Sequence, residues 1–118
     1  MLRDNLYRLL DLQTVDGLTS ARVALLPESP IYAAHFRGMP VTPGACLVEM
    51  ACELASLAAG RSLELASASD IKFLAPVLPG QTSELTFLLE GNPSEATPLT
   101  VRILDGEMLH ARMKLSLC

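Results

Sequence analysis

His35 and Glu49 bracket a loop punctuated by proline and glycine, HFRGMPVTPGACLVE from 35 to 49. An imidazole titrates near neutrality and can act as a base, whereas a carboxyl group held protonated by apolar surroundings can act as an acid. Between the two, Pro43-Gly44-Ala45 opens a helix, whose first backbone N–H groups and dipole can stabilise a developing oxyanion. Base, acid and oxyanion donors are the parts needed to abstract a proton next to a carbonyl. Eliminating water from a 3-hydroxyacyl thioester uses all of them: a base for the α-proton, donors for the thioester oxygen and an acid for the leaving hydroxyl.

Structural readings compete with this one. Glu49 and Glu53 lie four apart on one helix face and would mark the only wet edge of an otherwise buried helix. A lone histidine is often a satisfied structural residue. Metal binding needs a third ligand, but the chain has 2 histidines and His110 falls on the expected polar face of the last strand, so no metal is expected. Cys46, just inside the helix start, could be a thiol nucleophile, because a helix N-terminus lowers a thiol pKa, but no partnered base is evident.

The elements that must position these groups are legible in the patterning. Residues 44–59, GACLVEMACELASLAA, are rich in small residues and helix formers and stop at Gly60, which predicts a helix of about 24 Å. Its apolar residues occupy nearly every face, so it is expected to be enclosed. From residue 63 onward the period becomes two: Leu85, Phe87 and Leu89, then Leu99, Val101 and Ile103, then Leu109 to Leu117 after the hairpin signal Asp105-Gly106. An antiparallel sheet with one dry face would wrap around the helix, an α+β architecture in one domain over 1–118. Before the helix, residues 2–11 suggest a short amphipathic helix with strand pairing as the alternative, residues 20–26 read as extended, and Ile31–Ala34 read as a second short extended piece. The segment 91–98 reads as a polar turn between strands.

Composition limits the partners. The chain has 118 residues, 9 basic against 13 acidic, a net charge of −4, and aromatics at only 4%, with no basic run. Neither a phosphate-tracking surface nor a base-stacking platform is expected, so nucleic acid is excluded as a partner. The N-terminal residues lack the apolar core of a secretory signal and no stretch is long enough for a membrane span, so a cytoplasmic location is expected. Cys46 and Cys52 would be about 9 Å apart along the helix, too far to bridge, and both read as small buried hydrophobes.

At His35–Glu53 the sequence resembles the 3-hydroxyacyl-acyl-carrier-protein dehydratases of bacterial fatty-acid biosynthesis, the FabZ-like hot-dog family. Their His-Phe-Pro-Gly, short loop, Pro-Gly and helix with Glu-Ala-x-Ala-Gln read here as HFRGMPVTPGACLVEMACE, and DIKFLAPVLPGQTSEL (70–85) is similar to a second family block. The resemblance implies a hot-dog fold and a dehydratase with His35 as base, Glu49 as acid and the Gly44 N–H polarising the thioester carbonyl. Phe36, Gly38, Pro43, Ala45 and Glu53 would contact substrate. It further implies an acyl carrier protein bearing the substrate, no bound cofactor, and a homodimer, often assembled further, whose active sites combine the histidine of one subunit with the glutamate of the other. The related dehydratase-isomerases carry Asp at the position of Glu49, so isomerisation is not expected. Two departures stand out: Arg37 replaces a proline, and Glu53 replaces a glutamine, where a second carboxyl group could raise the pKa of Glu49. Docking an acidic carrier on an acidic chain needs a basic patch, for which Arg37, Arg61 and Lys72 are candidates. The rival readings are a hot-dog acyl thioesterase, with Glu49 activating water, and a non-catalytic acyl-binding subunit.

Overall fold

The computed structural model describes residues 1–34, 40–93, 95 and 98–118. In chain order the elements are β1 (Tyr7–Val15), β2 (Leu18–Leu25), α1 (Pro30–Ala34), α2 (Gly44–Ala59), β3 (Leu65–Phe73), β4 (Glu84–Glu90), β5 (Leu99–Asp105) and β6 (Met108–Leu117). The six strands form one antiparallel sheet in the order β1-β2-β4-β5-β6-β3.

Strict alternation explains the sheet's centre. Leu85, Phe87 and Leu89 of β4, Val101 and Ile103 of β5, and Met113 and Leu115 of β6 are buried in one cluster with Leu47, Met50, Ala51, Leu54 and Ala55 of α2. Period-two side chains thus meet a helical stripe, and the helix–sheet interface is the core. The hairpin between β5 and β6 sits one residue beyond the Asp-Gly signal. Asp105 still pairs with Met108, leaving Gly106-Glu107 as the loop, because the turn needs Gly106 at φ 59°.

The helix begins and ends where the sequence predicts. Pro43 (φ −59°, ψ 143°) precedes the first turn, and Gly60, left-handed at φ 72°, closes the last by donating to Ser56 and Leu57. The expectation of all-round enclosure is corrected: Leu47 and Met50–Ala55 are buried, but Ala45 and Glu49 are exposed in the single chain. Among the described residues no helix is long and apolar enough to cross a membrane.

Two local expectations are also corrected. Residues 2–11 do not form a helix: Tyr7 begins a strand. A bulge between Leu9 and Asp11 spaces the inward-leaning Leu9 and Leu12 three apart, which imitates helical periodicity. The strand pairing is set by Asp16-Gly17, whose positive φ values of 51° and 78° make a two-residue turn into β2. Ile31–Ala34 belongs to the helical turn α1, because the Ile31 N–H donates to Ser29 Oγ at 3.3 Å and Pro30 takes the first helical position. Tyr32 of that turn is buried and shares a 2.8 Å hydrogen bond with Thr42. The 91–98 connection contains residues outside those described.

Candidate active site

The site is assembled around α2. At its start, the first intrahelical bonds run from the Cys46 and Leu47 N–H groups to the Pro43 carbonyl, at 2.9 and 3.2 Å. The Gly44 and Ala45 N–H groups therefore have no intrahelical acceptor, and the positive end of the helix dipole is available there. Phe73, at the end of β3, lays its ring on Gly44: a Cβ at that position would meet the ring at 2.6 Å. The strap that follows is fixed at both ends. Leu74 and Ala75 donate to the His110 carbonyl at 2.8 and 3.2 Å, and the Thr42 N–H reaches the Val77 carbonyl at 2.8 Å. A hollow of about 330 Å³ lies between strap and helix start, with Thr42, Gly44 and Leu47 on one side and Phe73 and Val77 on the other.

Glu49 stands one and a half turns further along, exposed, with no hydrogen bond or ion pair among the described residues. It borders a cleft of about 620 Å³ that follows the bare edge of α2 past Cys52 and Ser56 to Gly60, with Arg3 and Leu63 on its flanks. Glu53 borders the same cleft but is only 7% exposed. Its carboxylate accepts from the Leu2 N–H at 2.7 Å, the Arg3 N–H at 2.9 Å and the Tyr7 hydroxyl at 2.9 Å. Burial first, then the hydrogen bond to Glu53 and that carboxylate's charge, hold the Tyr7 phenol well above its usual range.

Of the residues expected to act on substrate, the structure thus places Pro43, Gly44, Ala45, Glu49 and Glu53 on α2 or at its entry. His35, Phe36 and Gly38, like Arg37, lie outside the described residues. Glu53 carries a job that the sequence did not reveal, since both of its oxygens are engaged by the N-terminal segment.

His110 is a second residue that alternation misplaced. It is 3% exposed, not on the polar face, because the β5–β6 register shifts between Ile103 and Leu104 and leaves His110 as the extra residue of a bulge. Its Nδ1 lies 3.2 Å from the Ala75 carbonyl, while Nε2 is buried with no partner among the described residues.

Cys46 and Cys52 are poor nucleophiles as placed. Burial, then the charge of Glu49, pushes the Cys46 thiol up, opposing the helix end. Cys52 is pushed up to about 11 by burial, Glu49 and Glu53. All three cysteines are free.

Comparison with known proteins places this geometry. The family model described as ApeI-like, ApeI dehydratase, matches residues 13–111. The chain is similar to the 3-hydroxyacyl-[acyl-carrier-protein] dehydratase FabZ of Roseobacter denitrificans, 32% identical over 91 residues that cover 67% of this chain and 60% of that protein. It is also similar to the FabZ of Haemophilus influenzae, 30% identical over 110 residues covering 86% of this chain and 74% of the relative. The match thus spans less than two thirds of the Roseobacter protein and somewhat more of the Haemophilus one. Among solved structures, one from the dehydratase heterocomplex ApeI:P of Xenorhabdus doucetiae superposes with a TM-score of 0.79 at 18% identity, covering 95% of this chain and 97% of that one. A thioesterase superfamily protein of Shewanella loihica superposes with a TM-score of 0.53 at 22% identity, covering 92% and 88%. The fold is the hot-dog fold, and these likenesses at low identity speak to the fold alone. A match that takes in β2, α2, β3, β4 and β5 with parts of β1 and β6, joined to the FabZ relatives, means that this chain belongs to the ApeI-like dehydratase family.

Proposed function

We propose that the protein removes water from a 3-hydroxyacyl thioester to give the trans-2-enoyl thioester, with His35 as base, Glu49 as acid and the Gly44 N–H as oxyanion donor. The observation that carries this reading is Glu49 itself: an exposed carboxyl group without a partner among the described residues, on a helix whose other carboxylate, Glu53, is buried and fully engaged. In the proposed reaction His35 takes the proton from carbon 2, and the negative charge that builds on the thioester oxygen is met by the Gly44 N–H at the helix start. The electrons left on carbon 2 form the new double bond as the carbon 3–oxygen bond breaks. Glu49 gives its proton to the departing hydroxyl, which leaves as water.

An acid must be protonated when it acts, and an exposed carboxyl group is a poor acid at neutral pH. A second copy of the chain supplies the cover. β3 is the outer strand of the sheet, exposed along its whole length, with Leu65, Ile71 and Phe73 40 to 53% exposed. Such an edge is a template for pairing with another strand. A homodimer closing over β3 and the Ala45–Glu49 edge, with the histidine of one subunit facing the glutamate of the other, is the assembly this reading requires.

The carrier partner has support in the sheet's outer face. Arg102 of β5 pairs with Arg112 of β6, which pairs with Lys72 of β3, and all three are exposed. With strands about 4.8 Å apart, the row is roughly 10 Å long. Like charges placed directly opposite are unfavourable, and an acidic surface such as that of acyl carrier protein relieves the repulsion. Lys72 adjoins Phe73, whose ring covers Gly44 on the opposite, helix-bearing face. Of the other basic candidates, Arg61 lines the cleft and Arg37 lies outside the described residues.

The test is conversion of 3-hydroxybutyryl- and 3-hydroxyoctanoyl-carrier protein, following enoyl product and free thiol together in wild type, His35→Ala and Glu49→Gln. Enoyl formation lost in both variants supports the acid–base pair. Release of free thiol moves the assignment to thioesterase, and a folded dimer that turns over neither substrate points to the non-catalytic subunit.

A further inference from the structure

The family's glutamine is a carboxylate here, and the structure gives that departure a cause. Three groups converge on Glu53, and all three donate: two backbone N–H groups and a phenol hydroxyl. A carboxylate has only acceptors. A glutamine in the same place would turn its NH₂ toward at least one of the two N–H groups, whichever way the amide was flipped. Glu53 therefore matches this chain's own N-terminal segment.

That segment is built to be held. Leu6 and Tyr7 are completely buried, the Asn5 and Leu6 N–H groups fold back to the Leu2 carbonyl at 3.0 and 2.7 Å, and Asp4, at a positive φ of 67°, closes the turn. Leu2 and Arg3 lie past this anchor, and the carboxylate of Glu53 holds their N–H groups against α2. Met1 and Arg3 then form one side of the cleft that Glu49 borders. The held point lies one helical turn, about 6 Å, beyond Glu49 toward Gly60.

We infer that Glu53 is a positioning residue for acyl-chain length: by latching Leu2 and Arg3 to α2, it builds the wall of the cleft past which a longer chain must lie. The inference rests on the dehydratase reading for the identity of the chain. A short acyl group reacting at Glu49 ends before this wall, whereas a longer one runs along it. Loss of the latch is therefore felt in proportion to chain length, unlike a general loss of stability.

The experiment uses two unreactive probes, the S-butyl and S-decyl thioethers of pantetheine, titrated calorimetrically into the wild-type protein and Glu53→Gln, with amide exchange of Arg3 followed by NMR. In Glu53→Gln the Arg3 amide is expected to exchange at least tenfold faster while amides in the buried part of α2 are unchanged. S-decyl binding weakens at least tenfold and S-butyl binding changes by less than twofold. Tyr7→Phe, which removes one donor and adds none, shows the same pattern at about threefold and covers the case in which Glu53→Gln does not fold. Unchanged exchange at Arg3 would overturn the latch. Faster exchange with both thioethers affected equally, or with neither affected, would overturn the wall. Enoyl formation is assayed alongside: its absence in a wild type that still binds S-decyl more tightly than S-butyl would sink the dehydratase reading and leave the wall standing.

Discussion

One turn of α2 separates Glu49, exposed and without a partner among the described residues, from Glu53, buried and accepting three hydrogen bonds. The residue type is the same and so is the helix, so the difference lies wholly in what the rest of the chain brings to each side chain. Around Glu53 the N-terminal segment supplies donors, and the cost of burying a carboxylate is offset locally. Around Glu49 the described residues bring no hydrogen bond or ion pair, and the side chain is exposed. A carboxylate satisfied within its own chain holds structure together, whereas one left open beside a cleft is available for chemistry.

The sharpest way to break this comparison is to neutralise each carboxyl group in turn. Glu49→Gln is expected to lower enoyl formation by about 10²- to 10⁴-fold, the usual contribution of a general acid, while moving stability by no more than about 0.5 kcal/mol, as exposed substitutions do. Turnover assays and urea unfolding of the same preparation measure both. A large stability loss would place Glu49 in a structural network instead. Glu53→Ala is expected to behave in the opposite sense. It strands two backbone N–H groups and a buried phenol, so unfolding free energy falls by roughly 3 kcal/mol at about 1 to 3 kcal/mol per unsatisfied group, part of which fraying of the N-terminus recovers. An unchanged urea midpoint would contradict the latch.

Gly44→Ala probes the other end of the site. Its methyl group would press into the Phe73 ring, 2.6 Å from the position of the new Cβ, and the half-exposed ring can swing aside. We expect stability to change by no more than about 1 to 2 kcal/mol while kcat falls further than KM rises, and a Phe73→Ala partner substitution should restore part of the rate. Failure of that rescue would mean that the methyl group acts on the substrate and not on the ring.

The smallest effect is in alkali. The Cys52 thiol lies between the two carboxylates and is raised from 9.0 to about 11 in the folded chain, and the Tyr7 phenol is also raised. Below about pH 9 folded and unfolded chains both keep the thiol proton, and its contribution to stability is complete. As pH rises from there toward 11 the unfolded chain releases the proton first, so stability declines. Unfolding midpoints measured from pH 8 to 11 should show this decline, and it should shrink in Cys52→Ala. An equal decline in the variant would assign it to the other groups that burial raises, Tyr7, Tyr32 and Cys46.

How much of the molecule could be read in advance follows from how local its causes are. α2 was legible to the residue because Pro43, Gly60 and the run of helix formers between them are local signals. The central strands were legible because period two has one meaning when both faces keep to it. Legibility failed at the irregularities. The bulge at Leu9–Asp11 made a strand look helical, the bulge at His110 turned a polar-face residue inward, and the Ser29-Pro30 cap made a helical turn of a stretch that read as extended. A bulge turns a side chain off its expected face through pairing with a distant strand, which no window of neighbouring residues contains.

By itself, then, the sequence determined the residues with chemical potential, the helix that carries Glu49 and the α+β class, since residue type, capping and periodicity are properties of adjacent positions. Only the tertiary structure decided that Glu53 is engaged and Glu49 is open. The donors that separate them, Leu2, Arg3 and Tyr7, lie some fifty positions away, and burial with hydrogen bonding from such a distance, not residue type, sets what a carboxyl group can do.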